Sequence, residues 1–65
     1  MTVVDRLIPL ADQITCVRRE IGMRERVYPK WVTGGRMKQE AADRELAAMR
    51  AVLATLEALR NGGAQ

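Results

Sequence analysis

Residues 24–37, RERVYPKWVTGGRM, hold the chain's single tyrosine (Tyr28), its single tryptophan (Trp31), four cations (Arg24, Arg26, Lys30, Arg36), Pro29 and the pair Gly34 and Gly35. Planar guanidinium forks beside stacking rings are the chemistry that holds a flat base with its phosphate, or an acidic protein surface. Arg24, Tyr28 and Trp31 recur at helical spacing, so they fall one turn apart on one stripe, and Arg26, Lys30 and Arg36 rim them. These six are the candidate ligand-binding residues. The same residues also admit a structural reading. Tyr28 and Trp31 would then cap the core at the turn, while the arginines make ordinary surface ion pairs, Arg24 with Glu20 or Glu45.

Charge is concentrated around this stretch. Arg18, Arg19, Arg24, Arg26, Lys30, Arg36 and Lys38 face only Glu20 and Glu25, which gives residues 18–38 a charge of +5 and leaves −2 for the rest of a chain whose net charge is +3. Such asymmetry predicts one electropositive end that attracts anions.

Other chemistry is poorly supported. The sequence has no histidine, the commonest general base and metal ligand, and one cysteine, Cys16. Cys16 has arginines nearby but no imidazole to complete a nucleophilic pair. Glu40 and Asp43, three apart, suit a solvated first turn of a helix better than paired acid–base work. No enzyme, cofactor or metal site is expected. A lone cysteine fits a reducing cytoplasm and excludes a disulfide scaffold. Pro9 and the early charges Asp5 and Arg6 argue against a signal peptide, and no run approaches the ~20 apolar residues of a membrane span.

The elements that must position the cluster are two helices. Leu7, Leu10, Ile14, Val17 and Ile21 alternate by three and four, and the register continues through Arg24, Tyr28 and Trp31. Helix 1 is expected over about 3–32, kinked near Pro9 and Pro29. A capping box of Thr2 and Asp5 would start it near Val3, and otherwise Pro9 takes the first helical position. Gly34 and Gly35 then turn the chain back. Helix 2 is expected over about 38–60, with 61–65 as a frayed tail.

Helix 2 is apolar around most of its circumference. One stripe is Ala42, Leu46, Met49, Leu53 and Leu56; a second is Ala47, Ala51, Ala54 and Ala58; Val52 and Leu59 fill a third side. A lone hairpin needs only one such face. A 65-residue chain buries only roughly 60% of its unfolded surface, and here neither a disulfide nor a metal is on hand to compensate. The expectation is a single all-α domain over 1–65, an antiparallel two-helix hairpin assembling into a helical-bundle homo-oligomer, a dimer or higher. Its interface would draw on Leu46, Met49, Val52, Leu53, Leu56 and Leu59.

The run Arg18-Arg19-Glu20-Ile21, Met23-Arg24, Arg26-Val27-Tyr28-Pro29-Lys30-Trp31-Val32, Gly35-Arg36-Met37, then Ala42, Arg44-Glu45-Leu46 and Met49, resembles short uncharacterised proteins of phages and prophages. The resemblance covers about half the chain, from Arg18 to Leu53. Relatives of that kind often carry Ser or Thr after the methionine, a natural helix cap, where this chain has Lys38. The resemblance implies a small protein that works by stoichiometric binding in a host cytoplasm. By fold-level analogy it suggests the oligomeric helical hairpins that sequester cyclic nucleotide signals of bacterial immunity.

Three functions follow, in order of preference. Copies of the Arg-Tyr-Trp cluster enclose a nucleotide or cyclic nucleotide, as an anti-defence protein would. Alternatively, the basic end docks on an acidic host protein as an inhibitor or adaptor. In the third, the bundle binds nucleic acid through phosphates, without a helix-turn-helix signal to support it.

Overall fold

A computed structural model describes residues 8–62. It contains two helices, α1 over Leu10–Thr33 and α2 over Gln39–Arg60, and no strand among the described residues. No described helix is long and apolar enough to cross a membrane.

α1 starts at Leu10 because Pro9, with φ −58° and ψ 147°, stands as its N-cap in extended geometry. A proline has no N–H to contribute, but its carbonyl does accept, from Asp12 N at 3.0 Å and Gln13 N at 3.1 Å. Gln13 Nε2 reaches back to the Ile8 carbonyl at 3.0 Å. The helix therefore does not run through Pro9 from an upstream start; the part of the expected helix 1 before residue 8, with its Thr2–Asp5 capping box, lies outside the described residues.

α1 continues through Pro29 to Thr33. Proline cannot donate to the carbonyl four residues earlier, here that of Glu25. Both Glu25 and Pro29 are exposed residues, and an unpaired carbonyl costs less where water can satisfy it than where it is buried.

The turn is built by a Schellman motif. Gly35 N donates to Val32 O at 3.1 Å and Arg36 N to Trp31 O at 2.8 Å, the pair of bonds that ends a helix on a left-handed residue. That residue is Gly35, with φ +80°. α2 opens on Lys38 with no side-chain cap, as its long aliphatic stem dictates, and its first turn is tied instead by Gln39 Nε2 to Asp43 Oδ1 at 2.8 Å. At the other end Gly62, with φ +99°, repeats the left-handed exit and donates to Leu59 O at 3.2 Å.

The helices pack antiparallel, and the ion pairs fix the register. Arg18 meets Glu57 at 2.5 Å and Glu25 meets Arg50 at 2.6 Å, so seven residues up α1 correspond to seven down α2. The seam on α1 has the same period: Ile14, Ile21 and Tyr28 are its buried residues. A repeat of seven keeps a helix face turned to its neighbour, as in coiled coils. α2 contributes buried Ala42, with Leu46, Met49, Leu53 and Leu56 half-buried at the seam's spacing.

Among the described residues four side chains are buried, Ile14, Ile21, Tyr28 and Ala42, which makes a thin core. The expected interface set divides accordingly: Leu46, Met49, Leu53 and Leu56 are already half-covered within one hairpin, while Val52 and Leu59 are 46% and 57% exposed. Ala47, Ala51, Ala54 and Ala58 are exposed as well, along the outer side of α2.

Candidate functional site

The residues flanking the seam of α1 sort by spacing. Residues four after each seam position, Arg18, Glu25 and Val32, lie along one flank, and residues three after, Val17, Arg24 and Trp31, along the other. The first flank carries the cross-helix ion pairs of Arg18 and Glu25. It also carries a cavity of about 130 Å³ near the turn, lined by Glu25, Tyr28, Pro29, Val32, Gln39, Ala42, Asp43 and Leu46. Of the six candidate site residues only Tyr28 reaches it. Its charged rim is acidic, Glu25 and Asp43, and both carboxylates already have partners in Arg50 and Gln39.

Arg24 occupies a seam-flank position where an apolar residue is usual. Its Nε donates to Glu20 Oε2 at 2.9 Å, and its Nη1 lies 3.6 Å from Glu45 Oε1 across on α2. Both partners named from the sequence are therefore engaged at once. The hydrogen bond to Glu20 raises the Arg24 pKa above its ordinary value, aided by the nearby Tyr28 hydroxyl. The guanidinium is thus a fixed charge, already matched by two carboxylates.

Tyr28 is buried at 8% exposure, and its ring centroid is 5.8 Å from that of Trp31, the planes tilted by 35°. The two rings pack as a pair, with Trp31 39% exposed on the outer side. Arg36 lies over Trp31, its Cζ 5.9 Å from the ring centroid. The Schellman motif causes this contact. That turn brings the third residue from the helix end beside the second residue past it, a meeting usually filled by two apolar side chains. Here the two residues are Trp31 and Arg36, and a cation–π contact replaces the apolar one.

Arg26 and Lys30 lie elsewhere. Each is two residues from a member of the stripe, Arg26 from Arg24 and Lys30 from Tyr28, and so roughly 200° away around the helix. Arg24, Tyr28, Trp31 and Arg36 are gathered on one side of the hairpin end; Arg26 and Lys30 share the outer face of α1. Both are exposed and have no acidic partner among the described residues, and Arg26 Nη1 lies 3.9 Å from where a Cβ on Gly22 would stand.

That outer face gathers Arg26 and Lys30 with Arg19 and Met23, a grouping the sequence reading did not make. Arg19, Met23, Arg26 and Lys30 follow the i, i+4, i+7, i+11 pattern of a helical stripe, and all four are exposed. The spacing is present in the sequence, but the rings and the apolar periodicity mark the opposite stripe more strongly. Compared with protein-family models, curated proteins and solved structures, the chain matches none.

Proposed function

We propose that this chain is a phage-type, non-enzymatic binding protein of the host cytoplasm, a self-associating helical hairpin that captures an anionic partner stoichiometrically. One observation carries the anion reading. Glu20, Glu25, Glu45 and Glu57 are all taken up by Arg24, Arg50 and Arg18, whereas Arg19, Arg26, Lys30, Arg36 and Lys38 are exposed with no acidic partner among the described residues. Asp12, Glu40 and Asp43 also lack a cationic partner among the described residues, but the unpaired cations outnumber them, and such an excess of fixed positive charge attracts anions from solution.

Self-association is supported by the thin core. Exposed Val52, Leu59 and the four outer alanines of α2 leave apolar surface that a second copy would cover, and the alanines would let its backbone come close.

Among anionic partners, an acidic protein surface is favoured over a nucleotide. A nucleotide seated on Arg24, Tyr28 and Trp31 would have to displace Glu20 and Glu45 from Arg24, and the described cavity nearest the rings is rimmed by carboxylates. The nucleotide reading keeps one observation in its favour, the open outer side of Trp31 next to Arg36. In an oligomer a second copy would have to supply the opposite wall.

Two measurements test this. Sedimentation equilibrium is expected to find an oligomer at micromolar concentration that Leu59→Glu or Val52→Glu disperses; a folded, stable monomer overturns self-association. Titration calorimetry at 0.15 M salt is expected to detect binding of polyglutamate but not of cyclic di- or trinucleotides. Cyclic-nucleotide binding abolished by Trp31→Ala would replace the protein partner with the nucleotide, and silence towards every anion would reject the anion reading.

A further inference from the structure

We infer that the outer face of α1, formed by Arg19, Met23, Arg26 and Lys30, is the surface that docks the anionic partner, and that the partner presents an acidic helical segment. The inference rests on the anion-capture reading above and names its surface and partner. The four residues stand on the side of α1 opposite the seam, where no residue of α2 can reach them. Along the axis Arg19 and Arg26 are separated by about 10 Å, and Arg26 and Lys30 by about 6 Å. Carboxylates spaced i, i+7, i+11 on a partner helix reproduce those separations.

The face is not uniformly charged. Met23, 38% exposed, sits between Arg19 and Arg26. A row of phosphates needs cations and gains little from a thioether at its centre, whereas methionine and arginine together are the composition of a protein interface core. The acids that face this surface from its own helix are few. Asp12 lies on the same side two turns before Arg19, while Glu20 and Glu25 turn to Arg24 and Arg50.

Gly22 is the second observation. A glycine inside a helix costs stability, and at this position a Cβ would meet nothing nearer than Arg26 Nη1 at 3.9 Å, so packing within the chain does not call for it. It borders the face beside Arg19 and Arg26, each one turn from it, and lowers the surface there. The absent side chain leaves a ledge against which a partner helix can lie close.

The test uses the full chain and a fluorescein-labelled helical peptide with glutamates at i, i+7 and i+11 and leucine at i+4, followed by fluorescence anisotropy at 0.15 M salt. Binding at roughly micromolar Kd is expected. Arg26→Glu should weaken it about tenfold or more, and Met23→Ser and Gly22→Leu several-fold each. Arg60→Glu, the same charge change at the far end of α2, should leave it unaltered. Circular dichroism confirms that each variant is folded.

If a single-stranded oligonucleotide of equal charge binds more tightly than the peptide, and Met23→Ser changes nothing, the face is a phosphate surface and the acidic helix is rejected. Binding that depends on Arg36 and Trp31 in place of Arg19 and Arg26 leaves anion capture intact but overturns this surface. Failure of every anion removes both.

Discussion

Arg36 is bound to Trp31 twice: its backbone N–H donates to the Trp31 carbonyl at 2.8 Å, and its guanidinium carbon lies 5.9 Å from the centre of the Trp31 ring. The first link is the helix-ending bond of the Schellman motif, and the second follows from the geometry it imposes. Position therefore comes from the backbone, and the side chains add to it. Arg36→Ala should cost roughly 0.5–1 kcal/mol, the range for a cation–π contact at an exposed site, and should alter the fluorescence of Trp31, the chain's only tryptophan. Urea unfolding followed at that signal measures both. An unchanged midpoint would mean that the contact contributes nothing.

Gly35 and Gly34 should respond differently to substitution. Gly35 holds φ +80°, so Gly35→Val is expected to lose about 1 kcal/mol or more through left-handed strain. Gly34, at φ −81°, carries no such strain, and its added Cβ would press only on the Lys30 carbonyl at 3.3 Å. Gly34→Ala should therefore cost less than Gly35→Ala. Thermal melts of the two alanine variants decide it.

Gly22→Ala should raise stability by about 1 kcal/mol, because it removes the helix-interior penalty of glycine where space is open. The gain appears as a higher urea midpoint with an unchanged slope. A loss would reveal a neighbour close to Gly22 in the assembled protein.

Arg24→Leu is expected to be neutral or stabilising, since an apolar side chain suits the seam flank and the two carboxylates it frees are themselves partly exposed. Arg24→Glu, which sets a third carboxylate beside Glu20 and Glu45, should lower the melting temperature. The pH sign follows from the raised Arg24 pKa: its contribution is complete below the ordinary arginine value and is lost only as pH climbs through the folded one. Arg24 therefore adds no slope to stability between roughly pH 5 and 9, and a slope that disappears in Arg24→Leu would contradict this assignment.

The hairpin was legible in the sequence because its determinants are local. The seven-residue recurrence of Ile14, Ile21 and Tyr28 and the Gly34-Gly35 pair each act within one element or one turn. Lys38, uncapped, still begins α2, since the apolar seam outweighs a missing cap. One thing was not legible. The pairings of Arg18 with Glu57 and Glu25 with Arg50 depend on the register between helices, which no local pattern encodes. As for the candidate site, the sequence named the partners of Arg24 but joined Arg26 and Lys30 to a cluster whose opposite side they occupy, although their two-residue offset from Arg24 and Tyr28 carried that information.

A connection of only five residues, 34–38, between two long helices has a kinetic consequence. Contacts between the helix ends near the turn close a very short loop, so they form with little loss of chain entropy, and pairing can then proceed outward from Tyr28 towards Ile14. Helical proteins with such local topology fold in microseconds to milliseconds. The association of copies proposed above would be bimolecular and slower at low concentration. Refolding by dilution should accordingly show a fast, concentration-independent gain of helix followed by a second phase whose rate scales with protein concentration.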